Sequence, residues 1–437
     1  MPKYLLSRII PFTIFPIAII SIERFSKIPL GTTSIWWIIQ ALIVFSFWMA
    51  SFFLFEKENR QATQIVKWYI IWNIISLVRG IFFANYYWEW KELIKNLFNL
   101  LIPIVIYAAT NKESLQSILA FFLKYTLPFA IVIFPILPIG AWAWYLFPVT
   151  LLMLFLPALN FRWKGLILFI TIFAIISDLG TRSFIFKYGM PFILISFYYI
   201  RIFPWANTAI RTIQKVVMFA PWVFFVLAIN GIFNVFKMDE YIHSDFETTT
   251  EYQNGVQMKQ DLTSDTRTPL YQEVLESALE NNYWLLGRTP ARGNDTNIFV
   301  TDLIKERKER GRNEANILNV FTWTGIIGII LYFLVFFQAS SLAINHSNNI
   351  YIKLIGLFVA FRWAYAWVED PYAFDLNYLV IWLMIGACYS ASFRKMNNLE
   401  VKLWVRAIFE KRYFSAYQAY TLQKLQPKIT PEFDQRL

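Results

Sequence analysis

The sequence predicts an all-α fold: a polytopic bundle of about twelve membrane-spanning helices with one long polar segment. Three observations support this fold class. Hydrophobic residues make up 57% of the 437 residues and charged residues only 16%, whereas a soluble domain is nearer half apolar and a quarter charged. Long runs without any charge recur along the chain. One polar stretch, Lys237–Glu314, interrupts them and contains 15 of the 29 acidic residues.

Each predicted span is an apolar run close to the roughly 20 residues that a helix needs to cross a bilayer. The clearest runs carry no charge: Ser34–Phe55, Val216–Phe236 and Leu376–Phe393. Tyr125–Phe161 is also uncharged but too long for one span, and Pro138-Ile139-Gly140 predicts a turn that divides it in two. The remaining predicted spans are Leu5–Ile22, Ile65–Phe83, Leu93–Ala108, Gly165–Ser177, Phe184–Phe203, Ile317–Phe337 and Tyr351–Val368.

The positions of Lys and Arg predict the orientation of these spans. With both termini in the cytoplasm, 22 of the 40 Lys and Arg residues fall on the inner side, which is the bias expected of membrane proteins. The net charge of +11 is then mostly a topology signal, so we predict the lipid bilayer and no nucleic acid as a partner. Short outer loops hold five of the cations: Arg24, Lys27, Lys91, Lys95 and Arg182.

The chain therefore divides into four parts: spans one to nine in residues 1–236, a long outer segment in residues 237–316, the last three spans in residues 317–393, and a basic cytoplasmic tail in residues 394–437. Two helices are predicted inside the long segment. The first begins at Thr268-Pro269, a cap followed by a first-turn proline, and runs to about Asn281. The second runs from near Asp295-Thr296 to Gly311.

Charged side chains at the outer ends of spans are the first candidates for a functional site, because a charge inside a membrane is unfavourable unless it is used. Arg79, Lys187 and Arg362 lie within spans near these ends, and Arg182 lies at the rim beside Asp178. Guanidinium groups gathered at one depth suit an anionic headgroup, since they bind phosphate oxygens in a bidentate fork. The long segment contributes three more to this group: Arg267, Arg288 and Arg292.

Several of these charges also have a structural interpretation. Arg79 and Lys187 can extend their side chains to the membrane surface. Arg362 can pair with Glu369 or Asp370, two acids that follow it closely. For Arg79 and Lys187 we favour the structural interpretation. For Arg362 the structural and the functional interpretation both remain open, and for Arg182 we favour a functional role.

The sequence contains no motif for a nucleotide-binding or metal-binding site. There is no GxxxxGK[ST] phosphate loop and no GxGxxG after a strand. The single cysteine, Cys388, lies in a span, and the two histidines, His243 and His346, fall on opposite sides of the membrane. We therefore predict no metal and no cofactor, and ATP-driven transport is disfavoured.

Two regions, within roughly residues 165–340, resemble the O-antigen polymerase and ligase superfamily of Wzy-type polymerases and lipopolysaccharide ligases. The first is Ser177-Asp178-Leu179-Gly180-Thr181-Arg182-Ser183. The second is the long segment, with the elements Arg267-Thr268-Pro269-Leu270-Tyr271, Asn282-Tyr283-Trp284-Leu285-Leu286-Gly287-Arg288, Glu314-Ala315-Asn316-Ile317-Leu318 and then Gly325-Ile326-Ile327-Gly328. The chain departs from the ligases by carrying Glu314 where they usually have His, and its turn after Leu286 lacks a clear second glycine.

The resemblance implies a GT-C-like membrane glycosyltransferase of the bacterial cytoplasmic (inner) membrane. It would join undecaprenyl-pyrophosphate-linked oligosaccharides at the outer face without a metal, with a chain-length regulator protein as a candidate partner. Glu314, Arg182 and Arg267 would be the catalytic residues, Glu314 acting as the base for the acceptor hydroxyl; alternatively, Glu314 is only a first-turn anion of the next helix. The residues that would bind the pyrophosphate are Arg182, Arg267 and Arg288, with Arg292 and Arg362 as second choices.

Polymerisation of a surface polysaccharide such as O-antigen or capsule is the function that this resemblance favours. Two alternatives remain open. A ligase would transfer the glycan from its lipid carrier to the lipid A core. A flippase or transporter of lipid-linked oligosaccharides belongs to a different class, and it should carry ionisable residues in the inner half of its spans rather than at the outer ends.

Overall fold

The computed structural model describes residues 2–178, 182–237, 249–253, 256–260, 265, 267–296, 308–369 and 372–425. This part of the chain is almost entirely helical, as the sequence predicts. Before the long segment the helices are α1 (Pro2–Phe12), α2 (Ile14–Ile22), α3 (Thr33–Phe53), α4 (Gln64–Phe83), α5 (Tyr87–Leu101), α6 (Val105–Ala109), α7 (Lys112–Phe121), α8 (Leu127–Ile133), α9 (Trp142–Tyr145), α10 (Val149–Leu154), α11 (Phe161–Ser177), α12 (Arg182–Ile200) and α13 (Ala206–Ile229). The long segment contains α14 (Thr268–Glu280), and after it come α15 (Asn316–Asn345), α16 (Ile350–Tyr365), α17 (Leu376–Tyr389), α18 (Ala391–Arg394), α19 (Asn398–Phe409) and α20 (Lys411–Leu425).

Eight helices in the described residues are long and apolar enough to cross a membrane, some of them made of consecutive short helices. The chain is therefore an all-helical, multi-pass membrane protein. The eight are Lys3–Phe25, Thr33–Phe53, Gln64–Phe83, Tyr87–Ala109, Lys112–Ile136, Arg182–Ile200, Ala206–Ile229 and Asn316–Asn345.

The other four predicted spans are helical but short, so the total of about twelve remains a prediction. They correspond to α9 with α10, to α11, to α16 and to α17. The turn predicted at Pro138-Ile139-Gly140 is confirmed, because Leu137 and Pro138 are not helical. All residues of α17 are buried, so this short helix lies at the centre of the bundle.

The ninth predicted span is displaced along the chain. The sequence places it at Val216–Phe236, whereas α13 runs from Ala206 to Ile229. Gly231 explains the earlier end: it has a φ of 67°, and the amide of Ile232 donates to the carbonyl of Leu227. A glycine in this left-handed conformation is a common helix terminator.

The connections between the helices fall into two groups at opposite ends of the bundle. At the first, here called the loop end, the amide of Lys27 donates to Ile136 O at 3.1 Å, and the amide of Leu376 donates to Ser21 Oγ at 2.8 Å. At the second, the tail end, the amide of Ala391 donates to Asn59 Oδ1 at 2.8 Å. The long segment belongs to the loop end.

Among its described residues, the long segment contains a helix, a hairpin and a pair of short strands. Helix α14 confirms the first predicted helix. The antiparallel hairpin of β1 (Thr249–Gln253) and β2 (Val256–Gln260) has no counterpart in the sequence prediction. The second predicted helix was wrong at both of its described ends, because Asn294–Asp295 (β3) and Glu309–Arg310 (β4) pair as antiparallel strands. Residues 297–307, between them, lie outside the described residues.

Helix α15 is broken in its middle, and the long segment fills the break. Gly325 has φ 68° and ψ −169°, which are not helical values. The turn after α14 supplies the missing hydrogen bonds: Arg288 N donates to Thr322 O at 2.7 Å, and Ile326 N donates to Trp284 O at 3.0 Å. Backbone groups freed by a broken helix need such partners inside a membrane protein.

Glycine is required on both sides of this contact. A Cβ on Gly325 would lie 2.2 Å from Leu285 O, and a Cβ on Gly287 would lie 2.5 Å from Thr324 N. Both residues have positive φ, which only glycine adopts without strain. The two glycine elements of the sequence are therefore in direct backbone contact.

We expect Gly325→Ala to lower the free energy of unfolding by about 1–3 kcal/mol or more, from backbone strain and displacement of the turn. Thermal unfolding of the purified protein in detergent measures the change. Gly189→Ala is the matched control, since Gly189 lies within α12 and a Cβ there meets no atom within 4 Å. Equal stability of the two variants would contradict the proposed role of the contact.

Candidate functional site

Two of the predicted catalytic residues are brought together at the loop end. Arg267 Nη1 forms an ion pair with Glu314 Oε2. Arg267 precedes α14, Glu314 precedes α15, and Arg267 Nε donates to Val368 O at 3.0 Å just after α16. The pair therefore lies where the long segment meets the ends of two helices of the bundle. The side chain of Glu314 is 60% exposed, so it is accessible from solvent.

Helix α14 is fixed against the bundle by its first two turns. Tyr271 OH donates to Trp367 O at 2.6 Å, and Asn234 Nδ2 donates to Thr268 Oγ1 at 2.7 Å. Tyr271 is buried, and burial raises the pKa of its hydroxyl well above the usual value, so it remains a hydrogen-bond donor at neutral pH. This docking sets the position of Arg267, one residue before the helix.

Glu314 lies in a short stretch, residues 311–316, which we call the central segment. Buried asparagines hold it: Asn313 N donates to Asn319 Oδ1 at 2.6 Å, and Asn319 Nδ2 donates to Asn313 O at 2.8 Å. Asn316 Nδ2 donates to Tyr332 OH at 2.9 Å. These hydrogen bonds between buried groups hold the backbone of the central segment, so the segment presents its charged residues in a defined position.

Arg288 and Arg292 are held in a network of carboxylates. Arg288 Nη1 contacts Asp295 Oδ1 at 2.8 Å, and its Nη2 lies 3.1 Å from Glu309 Oε1. Arg292 pairs with the same Glu309 oxygen and lies 3.5 Å from Glu89. These two predicted pyrophosphate ligands thus lie near each other, and their guanidinium groups tie the turn after α14 to strand β4 and to α5.

The pKa values in this network follow from its charges. Burial raises the pKa of Asp295, but the hydrogen bond and charge of Arg288 outweigh it, so the pKa is lowered overall. Burial lowers the pKa of Arg292, while the hydrogen bond and charge of Glu309 raise it more, with a net rise. Both groups are therefore charged at neutral pH.

The remaining predicted site residues lie elsewhere at the loop end. Arg182 begins α12 and is exposed, next to residues 179–181, which lie outside the described residues. Arg362 is buried in α16, where its Nη2 donates to Asn377 Oδ1 at 2.8 Å and its guanidinium lies over the Phe147 ring. Of its two predicted acidic partners, Glu369 accepts a hydrogen bond from Tyr365 OH and Asp370 lies outside the described residues.

Arg79 does not simply extend toward the membrane surface. Its Nη1 donates to Leu286 O at 2.6 Å and its Nη2 donates to Gly287 O at 3.1 Å. These are carbonyl groups of the turn that fills the break in α15. Arg79 thus has a structural role that the sequence analysis did not foresee.

The loop end also contains a cavity with basic walls, which no sequence pattern predicts. Its volume is about 180 Å³, and Arg24, Lys95 and Arg312 line it together with Glu23 and Asp375. We call it the basic cavity. It lies where the ends of α2, α5 and α17 meet the central segment.

Arg312 is the most unusual member of this cavity. Its Nε and Nη2 atoms are inaccessible to solvent and have no hydrogen-bond partner among the described residues. Burial lowers the pKa of its guanidinium, although the charge of Asp375 acts in the opposite direction. A buried guanidinium with unsatisfied donors is unfavourable unless an acceptor joins it, so this group is suited to an anionic ligand.

Together these features describe a multi-pass helical membrane protein whose loop end carries an Arg–Glu pair and a basic cavity that meet at the central segment. Comparison of the chain with protein-family models, with curated proteins and with solved structures finds no match. Any function must therefore be argued from the site itself.

The ion pair of Asp295 gives a test of this geometry. Because the pKa is lowered in the folded state, the pair stabilises the fold above the unfolded value of about 3.9, and this contribution is lost as the pH falls through the folded-state pKa. We expect Asp295→Asn to lower the unfolding temperature at pH 7 and to differ less from the wild type at pH 3. A difference that does not change with pH would contradict this. Glu280→Gln, an exposed change on α14, is the control.

Proposed function

We propose that this protein is a polymerase of a surface polysaccharide, such as O-antigen or capsule. It would join undecaprenyl-pyrophosphate-linked repeat units at the outer face of a bacterial cytoplasmic membrane, with the loop end outside and both termini in the cytoplasm. The bias of Lys and Arg toward the tail end supports this orientation.

The observation that carries the proposal is that the basic cavity and Arg267 both meet the central segment. Arg312 of this segment lines the basic cavity with Arg24 and Lys95, and Glu314 contacts Arg267. A polymerase must hold the donor pyrophosphate beside the base, and it must also bind the pyrophosphate of the acceptor, which lies one repeat unit away from the reacting hydroxyl. The basic cavity and Arg267 are two separate cationic groups near one accessible carboxylate, as this requirement demands.

An apolar groove beside Arg267 is consistent with a lipid-linked substrate. It has a volume of about 510 Å³ and lies between α13, α14 and α16. Val368, whose carbonyl accepts from Arg267, and Thr268, which follows Arg267, both line it. A polyprenyl chain placed there would have its charged head next to the guanidinium. Its apolar lining includes Phe224, Phe225, Leu275 and Trp367.

The chemistry requires no further group. The acceptor hydroxyl oxygen forms a bond to the anomeric carbon of the donor, while the bond from that carbon to the pyrophosphate oxygen breaks. Glu314 takes the hydroxyl proton. The leaving pyrophosphate keeps the electron pair, and preorganised guanidinium groups stabilise its charge. Arg267, paired with Glu314, would also orient the carboxylate.

Deletion of the gene in its host should leave single repeat units on the lipid A core and remove the long chains. Gel electrophoresis of the extracted glycolipid measures this. Normal chain lengths would exclude a polymerase. Complete loss of glycan from the core, with accumulation on the lipid carrier, would instead identify a ligase.

Glu314→Gln should reduce polymerisation by roughly 100- to 10,000-fold, because the amide cannot accept the proton while its size is unchanged. The rate of chain growth in membranes supplied with lipid-linked repeat units measures the effect. Glu280→Gln, the exposed change on α14, should polymerise normally. Activity close to the wild type in Glu314→Gln would show that Glu314 is only a first-turn anion.

Removal of a guanidinium from either basic group should also stop chain growth. We expect Arg312→Ala and Arg267→Ala each to lower the rate by about a hundredfold or more, with normal amounts of protein in the membrane. Arg182→Ala tests the exposed predicted ligand in the same assay. Arg412→Ala, an exposed change at the tail end, is the control. Chains of normal length in Arg312→Ala would exclude the basic cavity from the reaction. Chains of normal length in Arg267→Ala would exclude Arg267 from it.

A further inference from the structure

A third pocket opens at the loop end, and it shares Glu89, Arg292 and Glu309 with the carboxylate network described above. Its volume is about 350 Å³, within the range of about 300–1,000 Å³ typical of small-ligand sites. The start of α5 forms one wall, and the turn after α14 forms the other. Two aromatic side chains stand at its edge: Tyr86 is 73% exposed and Trp88 is 44% exposed.

The polar lining of this pocket is mainly acidic. Glu89, Glu92 and Glu309 contribute carboxylates and Arg292 contributes the one guanidinium. These groups are held in place, since Glu89 Oε2 accepts the amides of Asn85 and Tyr86 and its other oxygen faces Arg292. Carboxylates accept several hydrogen bonds at once and disfavour an anion in the same space.

Gly311 lines the pocket, and a Cβ there would be in ordinary contact with the carboxylate of Glu92, 3.5 Å from its Cδ. Gly311 is also the first residue of the central segment. On the far side of Glu92, Lys95 Nζ lies 3.3 Å from Glu92 Oε2 and lines the basic cavity. The acidic pocket and the basic cavity are thus neighbours that share one ion pair as their boundary.

We propose that this acidic pocket is a sugar-binding site for a neutral or amino-sugar residue of a glycan chain. Aromatic rings offer an apolar face to the C–H face of a pyranose, and fixed carboxylates accept hydrogen bonds from its hydroxyl groups. A few placed polar groups beside aromatic rings are the usual composition of a specific ligand site. This inference rests on the proposed function in one respect, namely that the bound sugar belongs to a lipid-linked glycan. The pyrophosphate of that glycan would occupy the adjacent basic cavity.

Binding to the full chain in a non-glycosidic detergent tests the proposal without any turnover. The probes are the methyl glycosides of glucose, galactose, N-acetylglucosamine, glucosamine and glucuronic acid, and saturation-transfer NMR detects contact with their C–H protons. We expect saturation transfer from the protein to at least one neutral or amino-sugar glycoside, and weaker saturation transfer to the glucuronic acid glycoside. Trp88→Ala should raise the apparent dissociation constant roughly two- to tenfold, and Trp88→Phe should restore most of the affinity.

Phe82→Ala is the control. Phe82 lies at the loop end of the neighbouring helix α4 and is 79% exposed, and it does not line the pocket, so this variant should bind as the wild type does. Three outcomes would overturn the proposal: no saturation transfer to any of the five probes, equal binding in Trp88→Ala, or an equal loss in Phe82→Ala. The last would assign both rings to the aromatic belt at the membrane surface. Because the assay needs no lipid carrier, sugar binding can be confirmed even if gene deletion excludes a polymerase.

Discussion

The loop end of this protein depends on one backbone contact, the insertion of the turn around Gly287 into the break of α15 at Gly325. A break within a membrane helix leaves peptide groups without partners, and such groups are unfavourable in an apolar surrounding. Here the amides of Arg288 and Ile326 and the carbonyls of Thr322 and Trp284 satisfy each other. The long segment is therefore part of the helical core rather than an appendage.

This contact determines where the candidate functional residues lie. The turn is bounded by α14 on one side and by the Arg288 and Arg292 network on the other, and that network fixes β4, which leads directly into the central segment. Arg312 and Glu314 are consequently positioned from both directions, by the network before them and by α15 after them. Reacting groups held on rigid elements keep the geometry that catalysis requires.

The sequence predicted this architecture well where length and hydropathy decide it. Eight of the predicted spans are long apolar helices, and the chain turns at Pro138 as predicted. Hydropathy alone carried the ninth span too far, because the positive φ of Gly231 ends that helix earlier. The pairing of Asn294–Asp295 with Glu309–Arg310 could not be predicted in the same way, because the charged run Lys305–Arg310 has the composition of an exposed helix. Asn294 accepts a hydrogen bond from Asn313, and Asp295 accepts one from Ser277. Both partners are 18 or 19 residues away along the chain, so a local sequence pattern does not reveal them.

The site was predictable only in part, for a physical reason. The arginine residues indicated an anionic ligand, but the sequence does not tell which of them already have carboxylate partners, as Arg288 and Arg292 do. A better signal was present in the charge bias itself. In the predicted orientation, positive charges at the outer ends of the spans oppose the bias of the rest of the chain, so each of them requires a compensating interaction. Arg24 and Lys95 are two of the five cations predicted there, and both line the basic cavity with Arg312, although Lys95 lies within α5 rather than in a loop. In a protein of this class, cations that violate the topology rule are therefore better candidates for a ligand site than cations that merely lie at the same depth.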